Sequence, residues 1–168
     1  MTVIQKKVCL LGDFGVGKTS LVRRFVEGRF DDKYLSTIGV RISRKTLPRS
    51  SGTLNLLLWD LAGAQEFNTQ SSYLVGVAAA LIVCDLTRRE TLASYTKYVQ
   101  QVRAVSPVAP LVFAGNKVDL TAERAITDEE LRGYSETLGG VYVPTSARTG
   151  EGVEPAFELL AEKIEAQS

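Results

Sequence analysis

The chain has little that points to a special environment or an external staple. Its 168 residues include two cysteines, too few for a disulfide framework, and each lies in an apolar run, Val8-Cys9-Leu10-Leu11 or Leu81-Ile82-Val83-Cys84. A thiol in such a run serves as a small buried hydrophobe. At this length one apolar core buries enough surface to stand without a structural metal. No apolar run approaches the roughly 20 residues that span a bilayer, and residues 1–7 lack a signal-peptide cleavage pattern, so a cytoplasmic protein is expected. Twenty basic residues against nineteen acidic ones leave a net charge of +1, which excludes bulk attraction to nucleic acid or anionic lipid. Low-complexity tracts, repeats and Gly/Ser/Pro linkers are missing too, so residues 1–168 are expected to form one domain.

What is present is alternation. Apolar runs of strand length recur at 7–11, 54–59, 79–84, 110–115 and 141–143. Between and after them, 18–28, 90–105, 127–138 and 152–165 carry helical spacing. In the last of these, Val153, Phe157, Leu160 and Ile164 form one apolar stripe. Such alternation predicts an α/β fold with a mostly parallel sheet. Residues 38–48 and 53–60 are expected to pair as an antiparallel hairpin around the turn-forming stretch Pro48-Arg49-Ser50-Ser51-Gly52.

Gly12-Asp13-Phe14-Gly15-Val16-Gly17-Lys18-Thr19 fits G-x-x-x-x-G-K-[ST] between a strand and a helix, the context that gives the pattern meaning. From Asp13 through Ser20 the backbone N–H groups can converge on phosphate oxygens at the positive end of the helix. Lys18 adds a point charge, and the Thr19 hydroxyl can ligate Mg²⁺. Asp60-Leu61-Ala62-Gly63 leaves the strand over 54–59 at its C-terminal end, where ligands collect in such sheets. The Asp60 carboxylate can hold Mg²⁺ through water, and the Gly63 amide can meet a γ-phosphate. Asn116-Lys117-Val118-Asp119 closes the strand over 110–115. The Asp119 carboxylate can accept from both N1–H and the exocyclic amine of guanine, a pair of donors adenine lacks. A carboxylate left unpaired against the wrong base costs some kcal/mol, which gives the site its selectivity.

On these motifs, in this order, the chain resembles a Ras-superfamily small GTPase, closest to the Rab branch, over nearly its whole length. The resemblance implies a P-loop NTPase G domain: a mostly parallel six-stranded sheet with one antiparallel edge strand and helices on both faces. It implies GTP and GDP as ligands with Mg²⁺, and effector and regulator proteins that read the switch regions. Gly17 to Phe25 resembles the Rab loop-and-helix start, and Phe30 matches the aromatic that packs against guanine. Tyr34-Leu35-Ser36-Thr37-Ile38-Gly39 resembles switch I, which implies nucleotide contact by Tyr34 and Mg²⁺ and γ-phosphate contact by Thr37 in the GTP state. Thr145-Ser146-Ala147-Arg148 resembles the family's Ser-Ala-Lys loop, with Arg148 in the lysine's place, and implies backbone contact with the guanine oxygen.

The chain also departs from the family. Trp59 to Gly63 resembles the start of switch II, but the catalytic glutamine expected directly after Gly63 is Ala64, and Gln65 stands one place late. Ungapped alignment puts Ala64 at the catalytic position and keeps Phe67 on a Rab phenylalanine; Gln65 swinging in is the other possibility. Phe14 replaces the small residue the family sets beside the γ-phosphate, where a ring would crowd an arginine delivered by a partner. Both departures imply slow hydrolysis and a long-lived GTP state. No cysteine for prenylation lies within 162–168, which is expected either if a tail has been trimmed or if the switch is unlipidated, as the bacterial Rab-like GTPases are. The expected function is a slow GTP-hydrolysing switch that reorders 31–39 and 61–72. The alternative is a guanine-nucleotide-binding scaffold without hydrolysis, and the guanine-reading run speaks against an ATPase or kinase.

Overall fold

The structure is a computed structural model and describes residues 2–30, 39–61 and 72–167. Six strands form one sheet: β1 (Thr2–Gly12), β2 (Val40–Arg49), β3 (Gly52–Leu61), β4 (Val77–Asp85), β5 (Leu111–Asn116) and β6 (Val141–Pro144), in the spatial order β2-β3-β1-β4-β5-β6. All neighbours are parallel except β2 and β3, which pair antiparallel and put β2 at one edge. The helices of the described residues are α1 (Lys18–Glu27), α2 (Arg89–Ala93), α3 (Tyr95–Val105), α4 (Asp128–Thr137) and α5 (Val153–Ala166).

Both faces of the sheet are covered, so the central strands are apolar on both sides rather than alternating. Along β1, Val8 and Leu10 face one core with α1 and α5, while Cys9 and Leu11 face the other with α3 and Leu131 of α4. The rings of Phe25 and Phe157 stack at 4.1 Å between centroids and join α1 to α5. Both cysteine thiols are fully buried, and burial pushes each up to about 12, which suits the small-hydrophobe reading.

The expected elements are present, with three differences in extent. The hairpin turn is tighter than the turn-forming stretch suggests: β2 runs through Pro48 to Arg49, and Arg49 pairs with Gly52, leaving Ser50 and Ser51 to turn. Pro48 is accommodated because β2 is an edge strand with one side unpaired. β1 begins at Thr2 rather than residue 7, since the long β3 offers Gly52 to Leu56 as partners for residues that lie mostly exposed. The helix expected over 90–105 is two helices broken at Ser94, whose hydroxyl donates to the Glu90 carbonyl and to Asp13. A serine hydroxyl that returns to the i−4 carbonyl bends a helix.

Because β1, β3, β4, β5 and β6 run the same way, Gly12, Leu61, Asp85, Asn116 and Pro144 end at one rim of the sheet. Phe157→Ala is expected to cost about 3–5 kcal/mol, the usual range for a buried ring whose cavity cannot fully collapse. Urea unfolding at saturating GDP measures it.

Candidate nucleotide site

The rim carries two groups of residues, joined at its centre. At the first, β1 ends at Gly12 and α1 starts at Lys18, with Gly15 (φ +78°) and Gly17 (φ +102°) in the left-handed region that brings successive N–H groups to one side. Gly17 opens α1 with no side-chain cap, so the first-turn amides face the loop's concavity. The Lys18 side chain is almost buried and donates to the carbonyls of Gly12 at 3.0 Å and Asp13 at 3.4 Å. Burial lowers its pKa, and Asp60 and Asp13 act against that fall. Thr19 Oγ1 donates to Asp60 Oδ2 at 2.5 Å, and both residues are buried. Two hard oxygen donors converging beside a phosphate loop are the donor set that suits Mg²⁺, which takes one or two protein oxygens and fills its shell with phosphate and water. Val16 is fully buried in the core and Ser20 partly so, and both serve the loop through their backbone.

At the second, Asn116 and Asp119 are held by β6's loop. Thr145 Oγ1 donates to Asn116 Oδ1 at 3.0 Å, the Val118 N–H donates to the Thr145 carbonyl, and Ser146 Oγ donates to Asp119 Oδ1 at 2.8 Å. Ser146 and Ala147 are buried, while Arg148 is exposed and engaged through its carbonyl, which accepts from Arg24 of α1 at 2.6 Å. Lys117 is the positive-φ non-glycine residue of the described chain (φ 71°). That twist sends its ammonium to the Gly15 carbonyl at 3.0 Å and the Asp85 carboxylate at 2.9 Å.

Asn116 is the centre. Its Nδ2 donates to the Val16 carbonyl at 2.9 Å, and a Cβ on Gly17 would lie 2.3 Å from that same nitrogen. The phosphate loop and the guanine-reading run are therefore in direct contact.

Of the residues expected from sequence, the structure brings together Gly15, Val16, Gly17, Lys18, Thr19, Asp60, Asn116, Lys117, Asp119 and Ser146. Phe14 is half exposed, its carbonyl accepting from Arg88 at 2.7 Å. Phe30 packs partly buried against the α1/α5 core, just before residue 31. Tyr34, Thr37, Gly63, Ala64 and Gln65 lie outside the described residues. The structure adds Asp85, buried at the end of β4, which sequence reasoning missed. Burial alone would raise its pKa, but hydrogen bonds from Thr87 and the Lys117 pair outweigh that and hold it below the usual carboxylate range. Its signal was available: a lone acidic residue closing an apolar strand, as Asp60 does.

Residues 7–166 match the Ras family. The chain is 36% identical over 166 residues to human Ras-related protein Rab-31, covering 98% of this chain and 85% of that one. It is 37% identical over 166 residues to mouse Ras-related protein Rab-22A, covering 98% and 86%. To tobacco (Nicotiana tabacum) Ras-related protein Rab5 it is 39% identical over 163 residues, covering 96% and 82%. Asp119→Asn is expected to shift base preference from guanine to xanthine, because the amide puts an N–H donor where the carboxylate had an acceptor, matching the carbonyl that xanthine carries in place of guanine's exocyclic amine. Competition of GDP and XDP for the variant reads this directly.

Proposed function

Since the chain belongs to the Ras family and is a GTP-binding GTPase of Rab type, we propose that it is a switch with an impaired hydrolytic centre and that residues 1–168 form one G domain. The observation that supports this reading best is the Asn116 contact, which sets a phosphate cradle and a guanine-selective carboxylate on one rim. The triphosphate lies along residues 13–20, with Lys18 moving from backbone carbonyls to the β- and γ-phosphate oxygens. Thr19 would hold Mg²⁺ directly and Asp60 through water, and Thr37 would add an oxygen in the GTP state. When bound, the ion neutralises charge on the phosphates.

The base lies between Asp119, which accepts its two donors, and the backbone of Ser146, Ala147 and Arg148, with Lys117 and Phe30 at its faces. In hydrolysis water attacks the γ-phosphorus, the bond to the bridging oxygen breaks, and GDP and phosphate leave. A glutamine normally orients that water, and Ala64 has no group to do so. The half-exposed Phe14 ring crowds the approach of an arginine from a partner. The GTP state therefore persists, and residues 31–39 and 61–72 present it to effector and regulator proteins.

Among the described residues no helix is long and apolar enough to cross a membrane. Lys18→Ala is expected to weaken GDP binding by about 2–3 kcal/mol, through loss of a charge-assisted phosphate contact. Calorimetric titration of the two proteins checks it. Ala64→Gln is expected to raise single-turnover phosphate release at least about a hundredfold, the low end of what a positioned group contributes. An unchanged rate would place the water-orienting group elsewhere, and no release above buffer from the parent chain would favour the non-hydrolysing scaffold.

A further inference from the structure

The carboxylate of Asp13 turns away from the concave side of the phosphate loop, toward the α2–α3 junction. Its Oδ2 accepts from Ser94 Oγ at 2.6 Å, its Oδ1 accepts from Tyr98 OH at 2.8 Å, and Lys97 Nζ stands 3.6 Å from Oδ1. The next residue is gripped from the same side, since Arg88 donates to the Phe14 carbonyl at 2.7 Å while bound to Asp85 at 3.2 Å. The Asp13 carbonyl itself accepts from Lys18 Nζ and from the Val16 N–H, each at 3.4 Å.

We propose that Tyr98 and Ser94 are positioning residues for the phosphate loop, acting through Asp13, and that they set how long a bound nucleotide stays. The proposal rests on the reading of residues 13–20 as the phosphate site. Asp13 is the hinge between two grips: its side chain belongs to the helix junction, and its carbonyl belongs to the lysine that meets the phosphates. A loop whose amides must stay aimed at phosphate oxygens loses that aim when one end swings. Tyr98 is suited to the task because it is fully buried, it packs with the second core, and burial together with Asp13 raises its pKa, so the phenol remains a donor. Ser94, the residue between α2 and α3, also has its hydroxyl 3.1 Å from the Glu90 carbonyl.

The test is dissociation of N-methylanthraniloyl-GDP in Mg²⁺ from the parent chain, Tyr98→Phe and Ser94→Ala, repeated with Asp13→Ala in each. Each single hydroxyl loss is expected to speed release about tenfold, the effect of one hydrogen bond to a charged group. With Asp13 already removed, each is expected to add less than about twofold, because the acceptor is gone. Equal acceleration with and without Asp13 would show that Tyr98 and Ser94 act by packing and would overturn the proposal. So would unaltered release from both single variants. The phosphorus resonances of bound GDP are expected to move in Tyr98→Phe, whereas a packing defect remote from the loop leaves them in place. Lys18→Ala separates the two levels: if it keeps full GDP affinity, the phosphate site is misassigned. If it loses affinity while Tyr98→Phe and Ser94→Ala release GDP normally, only the positioning role fails. Should Tyr98→Phe not fold, Ser94→Ala, at a partly exposed helix break, decides alone.

Discussion

The site depends on one side chain at the centre of the rim. Asn116 ends β5, donates to the Val16 carbonyl of the phosphate loop and accepts from Thr145 at the end of β6. It occupies the space a side chain at residue 17 would need, so the loop's glycine and the strand's asparagine are two halves of one contact. The parallel sheet makes this possible by ending β1 and β5 at the same rim. Registers fixed by buried apolar strands then hold the two ends at a constant separation.

Around that contact charged side chains are used to shape backbone. Lys18 and Lys117 each donate to loop carbonyls, and Arg88 does the same for Phe14, so three cations lie against the loop from three directions. Asp85 balances two of them from beneath and Asp60 stands beside the third. The Lys18 ammonium, buried on backbone oxygens, is poised for a stronger acceptor, and a phosphate offers one. The proposed slowing of hydrolysis rests on two other features, Ala64 directly after Gly63 and Phe14 within the phosphate loop itself.

What could be read from sequence was what lies contiguous in it. Gly12 to Thr19 and Asn116 to Asp119 were legible because each run holds its own chemistry, and the strand before each announces where it will be placed. Apolar runs such as 79–84 marked the sheet for the same reason. The contacts that join the runs were not legible. Arg24 to Arg148, Tyr98 to Asp13 and Arg88 to Phe14 link positions far apart in the chain, and arginine on a helix reads equally as a solvated face. The break at Ser94 was hidden because apolar spacing continues through it. Thr2 to Lys6 were passed over because only Val3 and Ile4 are apolar there, and the strand is made by its partner β3 rather than by a buried run.

The central claim, a guanine nucleotide held by this rim and turned over slowly, is tested most directly by loading the protein with GTP in Mg²⁺. The bound nucleotide is then extracted over time for chromatography, with ATP present as competitor. The account predicts one guanine nucleotide per chain, no displacement by ATP, and GTP that persists among the bound species long after loading. Bound adenine nucleotide, or complete conversion to GDP as fast as loading finishes, would contradict it.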